Sequence, residues 1–414
     1  MKVILIAFLI TLFSTTGALS QKPTAWRGGT NGNYPDKGLL KTWPQNGPDI
    51  LWVAEGIGEG FSSPVFANGK IFVSTMIDTT GFIVIIDLKG KELKRYSYGT
   101  EFFESYPGAR STPVIVGDWL YIYSGRGTIY AFDAEKGTLR WKRDLIKETD
   151  GENIKWGVTE TLVVDGDKIY CSPGGKKFNI VALNRLDGTF VWNSPGVGDL
   201  SAYCTPLLID LGNKKILVTM MASHILGVDA STGKTLWSYE QPNQWSVHAN
   251  TPIYANGMIF CTSGYGQGTV ALNLSSDGNS VSKAWFNPKF DSRMGGAVYI
   301  DGYLYSSGDK NREWQCLDAK TGTEKWASTE IGKGDIISAD GLLFLYSEKG
   351  ELALAEANPN AFKLLSQAKV EKGTAQHWAH PVINDGTLYV RHGNALIAYK
   401  IVYKPNYPGD NTPG

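Results

Sequence analysis

The stretch GVDASTGKTLW, residues 227–237, holds the pattern that decides the fold. Apolar residues run up to Asp229, a polar turn closes on Gly233, and the chain resumes with an apolar residue followed by Trp237. An acidic side chain bonds nearby backbone and glycine accepts positive φ, so the segment reads as strand, tight turn, strand. The same arrangement returns in AFDAEKGTLRW (131–141), ALNRLDGTFVW (182–192) and CLDAKTGTEKW (316–326), and in lengthened form in ALNLSSDGNSVSKAW (271–285). Gly137 and Trp141, Gly188 and Trp192, Gly233 and Trp237, Gly322 and Trp326, together with Trp285, are therefore expected to be structural corners. The predicted contact lays each ring over the bare glycine corner of a neighbouring copy. Truncating a buried Trp costs roughly 3–5 kcal/mol, so such contacts would dominate stability.

A shorter motif precedes each corner: an apolar run, a turn glycine, a second apolar run. Examples are SSPVFANGKIFVS, STPVIVGDWLYIYS, NTPIYANGMIFCTS and AHPVINDGTLYVR, and the turn glycines are Gly69, Gly117, Gly166, Gly257, Gly302, Gly341 and Gly386. A degenerate copy, CTPLLIDLGNKKILVTM, fills the gap between Gly166 and Gly257. Each copy reads as a hairpin. Units of about 40–50 residues with four short strands mark a propeller. The eighth copy stops after its third strand, whereas Leu51–Trp52 looks like the end of a corner and precedes the first hairpin. The expected fold is thus all-β: an eight-bladed β-propeller of four-stranded antiparallel blades, closed by pairing of the N- and C-terminal segments. Closure removes the sheet edges that invite aggregation. Blade one (IIDLKGKELKR) and blade seven (ALAEANPNAFKLL) lack the corner Trp and must pack another way.

The chain has 414 residues with 40 basic and 40 acidic side chains, a balance that provides no global field for nucleic acid or anionic lipid. Lys2, the apolar run Val3–Leu12 and the small residues Ala18 and Ser20 read as a signal peptide over residues 1–20. The run is shorter than the ~20 residues of a membrane span. The expected organisation is a signal peptide (1–20), an N-terminal leader strapped across one face (21–48), the propeller (49–403) and a flexible tail (404–414). An exported monomer follows, periplasmic or extracellular, with no membrane span and no lipid anchor. Cys171, Cys204, Cys261 and Cys316 are scattered without a CxxC pair; buried thiols are expected, with a Cys171–Cys204 bridge as the alternative.

The corners resemble the quinoprotein-type propeller repeat, roughly A-x-D-x-x-T-G-x-x-x-W, with Asp133, Asp229 and Asp318 at the acidic position. The opening AWRGGTNGNYP and GLLKTWPQNGPDILW are similar to the leader of exported bacterial propellers with this repeat. The resemblance implies the fold and leaves the function divided. Members include dehydrogenases that use pyrroloquinoline quinone (PQQ) and calcium on alcohols or sugars, and non-enzymatic scaffolds of outer-membrane assembly. The dehydrogenases tend to carry an adjacent Cys–Cys disulfide, and no two cysteines are adjacent here. No Cys-x-x-Cys-His for covalent haem is present.

Chemistry is expected in the irregular loops that lead into the innermost strands, because these ring the axial funnel. If a dehydrogenase, Glu160, Asn250 and Asp335 would be the calcium ligands, Asp335 the proton acceptor, and Arg110, Arg293, Trp156 and Trp245 the cofactor contacts. Tyr203, His248, His377, Trp378 and His380 are candidates for partner binding at the funnel. On a strand, the spacing of His377 and His380 would point their rings to opposite faces, against a shared metal. No GxSxG, HExxH, Walker or dinucleotide fingerprint occurs. The reading is an exported, non-catalytic scaffold or binding module for a protein or polysaccharide, with no cofactor. The alternative is a PQQ- and calcium-dependent dehydrogenase.

Overall fold

The computed structural model describes residues 24–29 and 31–403. The signal peptide and C-terminal tail expected at 1–20 and 404–414 lie outside the described residues. Eight four-stranded antiparallel sheets form the blades of a propeller. Within a blade each strand pairs with the next, as in Leu207–Asp210, Lys215–Met220, His224–Asp229 and Thr235–Glu240 of blade four. The last blade is shared: Val382–Asn384, Thr387–His392 and Ala395–Lys400 take Ile50–Ala54 as their outer strand, with Trp52 opposite Ala398. Ring closure through Leu51–Trp52 is therefore part of the fold.

The turn chemistry explains the hairpins. Asn68–Gly69, Asn256–Gly257, Asp301–Gly302, Asp340–Gly341 and Asp385–Gly386 all have positive φ at both residues, as a type I′ turn requires, and Asn and Asp tolerate it among non-glycine residues. Eight apolar clusters fill the seams, each drawn from adjacent blades; Ile71, Val73, Val84 and Ile86 of blade one, for instance, pack on Tyr389, Leu396 and Ala398 of blade eight. Inner strands are consequently buried on both faces, as in Leu342–Ser347, and show continuous apolar runs in place of clean alternation.

Corner packing follows a simple steric rule. The register-equivalent residues opposite Trp52, Trp141, Trp192, Trp237, Trp285 and Trp326 are Ala398, Ala131, Ala182, Gly227, Ala271 and Cys316. Small partners leave room for the indole. Where the partner is Ile85 or Leu354, the corner residue is Lys94 or Ser366. Trp52, Trp141, Trp192 and Trp285 cover Gly90, Gly188, Gly233 and Gly322, where an added Cβ would come within 2.6–2.7 Å of the ring. Their indole N–H groups donate to Leu88, Arg185, Ala230 and Ala319 carbonyls at 2.9–3.1 Å. In blade one Tyr96, two residues beyond Lys94, covers Gly137 instead.

Two corners depart from the expectation. Trp237 lies against Gly227 of its own blade, because the lengthened corner of blade five brings Gly278 onto Ile216 and Leu211. Trp326 finds no glycine in blade seven and donates to Asn358 O at 2.8 Å while packing on Phe362. The four cysteines are free and buried, so the Cys171–Cys204 alternative is not realised. Among the described residues no helix is long and apolar enough to cross a membrane.

Candidate functional site

Hairpin turns occupy one end of the ring; the loops between second and third strands, and between blades, occupy the other. The leader crosses the turn end. Thr24 pairs with Ile115 in blade two, and Asn33 with Ser338 in blade seven. Between them Arg27, with φ 53°, enters the channel. Its guanidinium donates to Asn31 O and Ala297 O at 2.8 Å, to Gly295 O at 3.3 Å and to His380 Nδ1 at 3.0 Å. Arginine only donates, so Nδ1 accepts and the imidazole proton sits on Nε2, which donates to Met294 O at 2.9 Å. Burial and the adjacent Arg27 hold His380 neutral, well below its ordinary pKa. The Arg27 side chain is itself lowered to about 10 by burial. Trp26 packs edge-on to His380, with ring centres 5.0 Å apart.

Above this plug lies a cup of about 270 Å³. Trp26 contributes to its lining from the leader. Phe61 and Tyr106 pack on Trp378 at 5.3 and 4.9 Å, and Trp156 packs on Tyr203 at 6.0 Å on a second part of the wall. Tyr265, Met294, Val247, Ala249 and four threonines complete most of the rest. Tyr106, Tyr203 and Tyr265 all hold positive φ, at 47°, 73° and 61°. Such a conformation costs a bulky residue roughly 1–3 kcal/mol and concentrates at functional sites.

Both arginines of the wall are engaged. Arg110 folds back on the carbonyls of Phe102, Ser105, Tyr106 and Gly108 at 2.6–3.4 Å. Arg293 pairs with Glu348 at 2.5 Å, within a network that includes Asp309 and Lys333. Of the residues expected at the funnel, Arg110, Trp156, Tyr203, Arg293, Trp378 and His380 meet in the cup.

The others lie elsewhere. Trp245 is half exposed, with Lys155 between it and Trp156. His248 is buried, its ring 3.3 Å from Ala222 O, and burial lowers it to about 4. His377 stacks on His392 and bonds Tyr346. Residues 377–380 form a loop, so the strand argument against a shared metal does not apply. The two rings diverge because each has separate partners.

Glu160, Asn250 and Asp335 share no contact. The Asn250 carboxamide is spent on Thr262 O, Ser292 O and Gly296 N–H. Glu160 accepts from Ser172 N–H with one oxygen and leaves the other buried without a partner; burial raises it well above a normal carboxyl pKa. Asp335 is likewise raised by burial. Among the described residues no group of three or more His, Cys, Asp or Glu is placed to hold a metal. With the arginines and Asn250 already engaged, the residues as placed do not fit a PQQ–calcium pair.

Phe61 and Tyr106 lie in the lead-in loops of blades one and two, where an uncharged ring carries no mark of its own in the sequence. Tyr265 lies between the second and third strands of blade five, and those loops share the cup end. Trp26 escapes notice in the sequence because only the folded leader brings it to the axis.

A family profile described as outer membrane protein assembly factor BamB matches residues 79–328. The chain belongs to this family. The BamB of Kangiella koreensis is 27% identical over 201 residues, covering 49% of this chain and 45% of the relative. The chain thus spans less than half the length of that curated relative in the match. Among solved structures, BamB from Moraxella catarrhalis superposes with TM-score 0.64 at 12% identity, covering 87% of this chain and 99% of that one. A quinohemoprotein alcohol dehydrogenase from Comamonas testosteroni gives TM-score 0.66 at 12% identity, covering 93% and 81%. At that identity the likeness carries the BamB-type and dehydrogenase-type propeller fold alone.

Proposed function

We propose that the chain is an exported, non-catalytic propeller that binds a protein partner at the cup, in the assembly of outer-membrane proteins. The observation that carries this reading is the engagement of both wall arginines with protein acceptors in an otherwise largely aromatic and methyl-lined cup. Such a surface suits recognition, where aromatic anchors contribute most. The assembly-factor name of the family and the signal-like residues 1–20 support the cellular setting.

The test places a photo-crosslinking residue at Tyr106, 47% exposed at the rim, and adds a urea-unfolded outer-membrane β-barrel protein by dilution. A crosslink absent with an unfolded cytosolic protein supports the proposal. Equal crosslinking of both, or none, overturns it. Stoichiometric calorimetric binding of pyrroloquinoline quinone with calcium also overturns it, in favour of the dehydrogenase alternative.

A further inference from the structure

We infer that the cup is an anchor pocket for one neutral aromatic side chain of the bound partner, completed by the chain's own leader; this rests on the protein-binding reading above. Size comes first. A cavity of ~150 Å³ takes a benzene ring, and drug-sized sites begin near ~300 Å³. The cup, at about 270 Å³, suits a side chain better than a large ligand.

Charge comes second. The Arg110 guanidinium donates to four backbone carbonyls, and Arg293 is ion-paired with Glu348 while its buried Nε has no hydrogen-bond partner. His380 is held as the neutral tautomer by Arg27. A cation entering the cup would meet no carboxylate in the lining, and an anion would have to draw Arg110 off its carbonyls, costs that a neutral group avoids.

Hydroxyl chemistry separates an aromatic ring from a sugar. Thr112 Oγ1 accepts from Ser63 N–H at 3.1 Å, Thr205 Oγ1 from Thr161 N–H at 2.9 Å, and Thr159 Oγ1 donates to Tyr203 O at 3.1 Å. Each of these hydroxyls spends one of its hydrogen-bonding positions on the backbone, which leaves fewer for a glycan. Rings are what the wall offers in quantity, and aromatic pairs favour edge-on and tilted contacts of the kind already made by Tyr106, Trp378, Trp156 and Tyr203.

The backbone is an independent observation. Three tyrosines from three different loops hold left-handed φ while lining one cavity. Glycine would hold the same turns without strain. Strain kept at convergent positions fits selection for the rings.

The probe is N-acetylphenylalaninamide, followed by saturation-transfer NMR and calorimetry against phenylacetate, phenethylammonium and cellobiose. Expected are roughly millimolar binding of the neutral amide, at least about tenfold weaker binding of either ion, and no cellobiose binding. Trp156→Ala and Trp378→Ala should each weaken the amide at least about fivefold. Tyr265→Gly should weaken it while leaving the thermal midpoint unchanged or higher, a split that a merely structural tyrosine would not produce.

Equal affinity for neutral and charged rings overturns the inference, as does preferential cellobiose binding or a Tyr265→Gly variant that loses stability and keeps binding. A crosslink to the unfolded barrel protein that persists undiminished in Trp156→Ala and Trp378→Ala leaves the partner reading standing and removes the anchor pocket.

Discussion

Glu160 accepts from Ser172 N–H through one carboxylate oxygen, 3.1 Å away. Its carboxyl is buried at 1% exposure with one oxygen unpartnered, so the folded chain favours the neutral form and the folded pKa lies above the unfolded one. Below the unfolded value, near ~4.3, both states carry the proton and no penalty arises. As pH rises above it, the unfolded chain sheds the proton first and stability falls. Glu160→Gln, which keeps the shape without the ionisation, should be more stable than the parent at pH 8 by about 1–3 kcal/mol. That gap should close towards pH 4 in urea unfolding curves; a constant gap would place the proton elsewhere. Residue type and position along the repeat pick out Arg110, Trp156, Tyr203, Arg293, Trp378 and His380 as cup residues. They do not tell that both arginines are spent on partners in the fold.

Blade seven shows an element repairing its own exception. Ser366 stands where six other blades carry Trp, and across from it Leu354 leaves no room for one. The leader fills the gap: the Trp43 backbone N–H donates to Ser366 Oγ at 2.7 Å, and the Trp43 ring packs near Phe344. Trp43 is 7% exposed, so Trp43→Ala should cost about 3–5 kcal/mol, like loss of a corner indole. Ser366→Trp alone should also destabilise, by overpacking. Combined with Leu354→Ala and Trp43→Ala it rebuilds a standard corner, and the triple variant should be more stable than the sum of the separate losses by at least about 1 kcal/mol. Additive denaturation energies would sink the substitution-by-leader account. That blade seven packs differently is legible from its missing Trp. The identity of the replacement is not, because Trp43 lies more than 300 residues away in sequence.

For the molecule as a whole, closure and plugging are separate devices on one N-terminal segment. Ile50–Ala54 completes blade eight, and Arg391 ties that blade to blade one through Ser62 and Ser74 at 2.6 Å. Residues 24–29 and 31–33 plug the channel, pair with blades two and seven and bring Trp26 to the cup, but take no part in the closing sheet. A chain starting at Tyr34 should therefore fold and remain monodisperse, while the amides of Ile115 and Ser338, which donate to Thr24 O and Gly32 O, exchange faster with deuterium. A chain starting after Ala54 leaves Ala395–Lys400 as an open edge and should aggregate. Light scattering and hydrogen exchange distinguish the two; aggregation of both would mean that the plug also holds the ring.

Blade number, hairpin positions and closure through Leu51–Trp52 are set by the chain's local pattern. Turn residues and the size of the residue opposite each corner act over short separations, and repetition makes them unmistakable. The cup is different. Trp26, Phe61, Tyr106, Trp156, Tyr203, Tyr265 and Trp378 come from the leader and from several blades, so no window of sequence contains the site. Whether a charge there is free or spent depends on long-range partners such as Arg293 with Glu348 and His380 with Arg27. Apart from the closing strand, where Trp52 faces Ala398, the blades follow from contacts near in sequence; the character of the centre arises only when the closed ring brings distant loops and the leader to one axis.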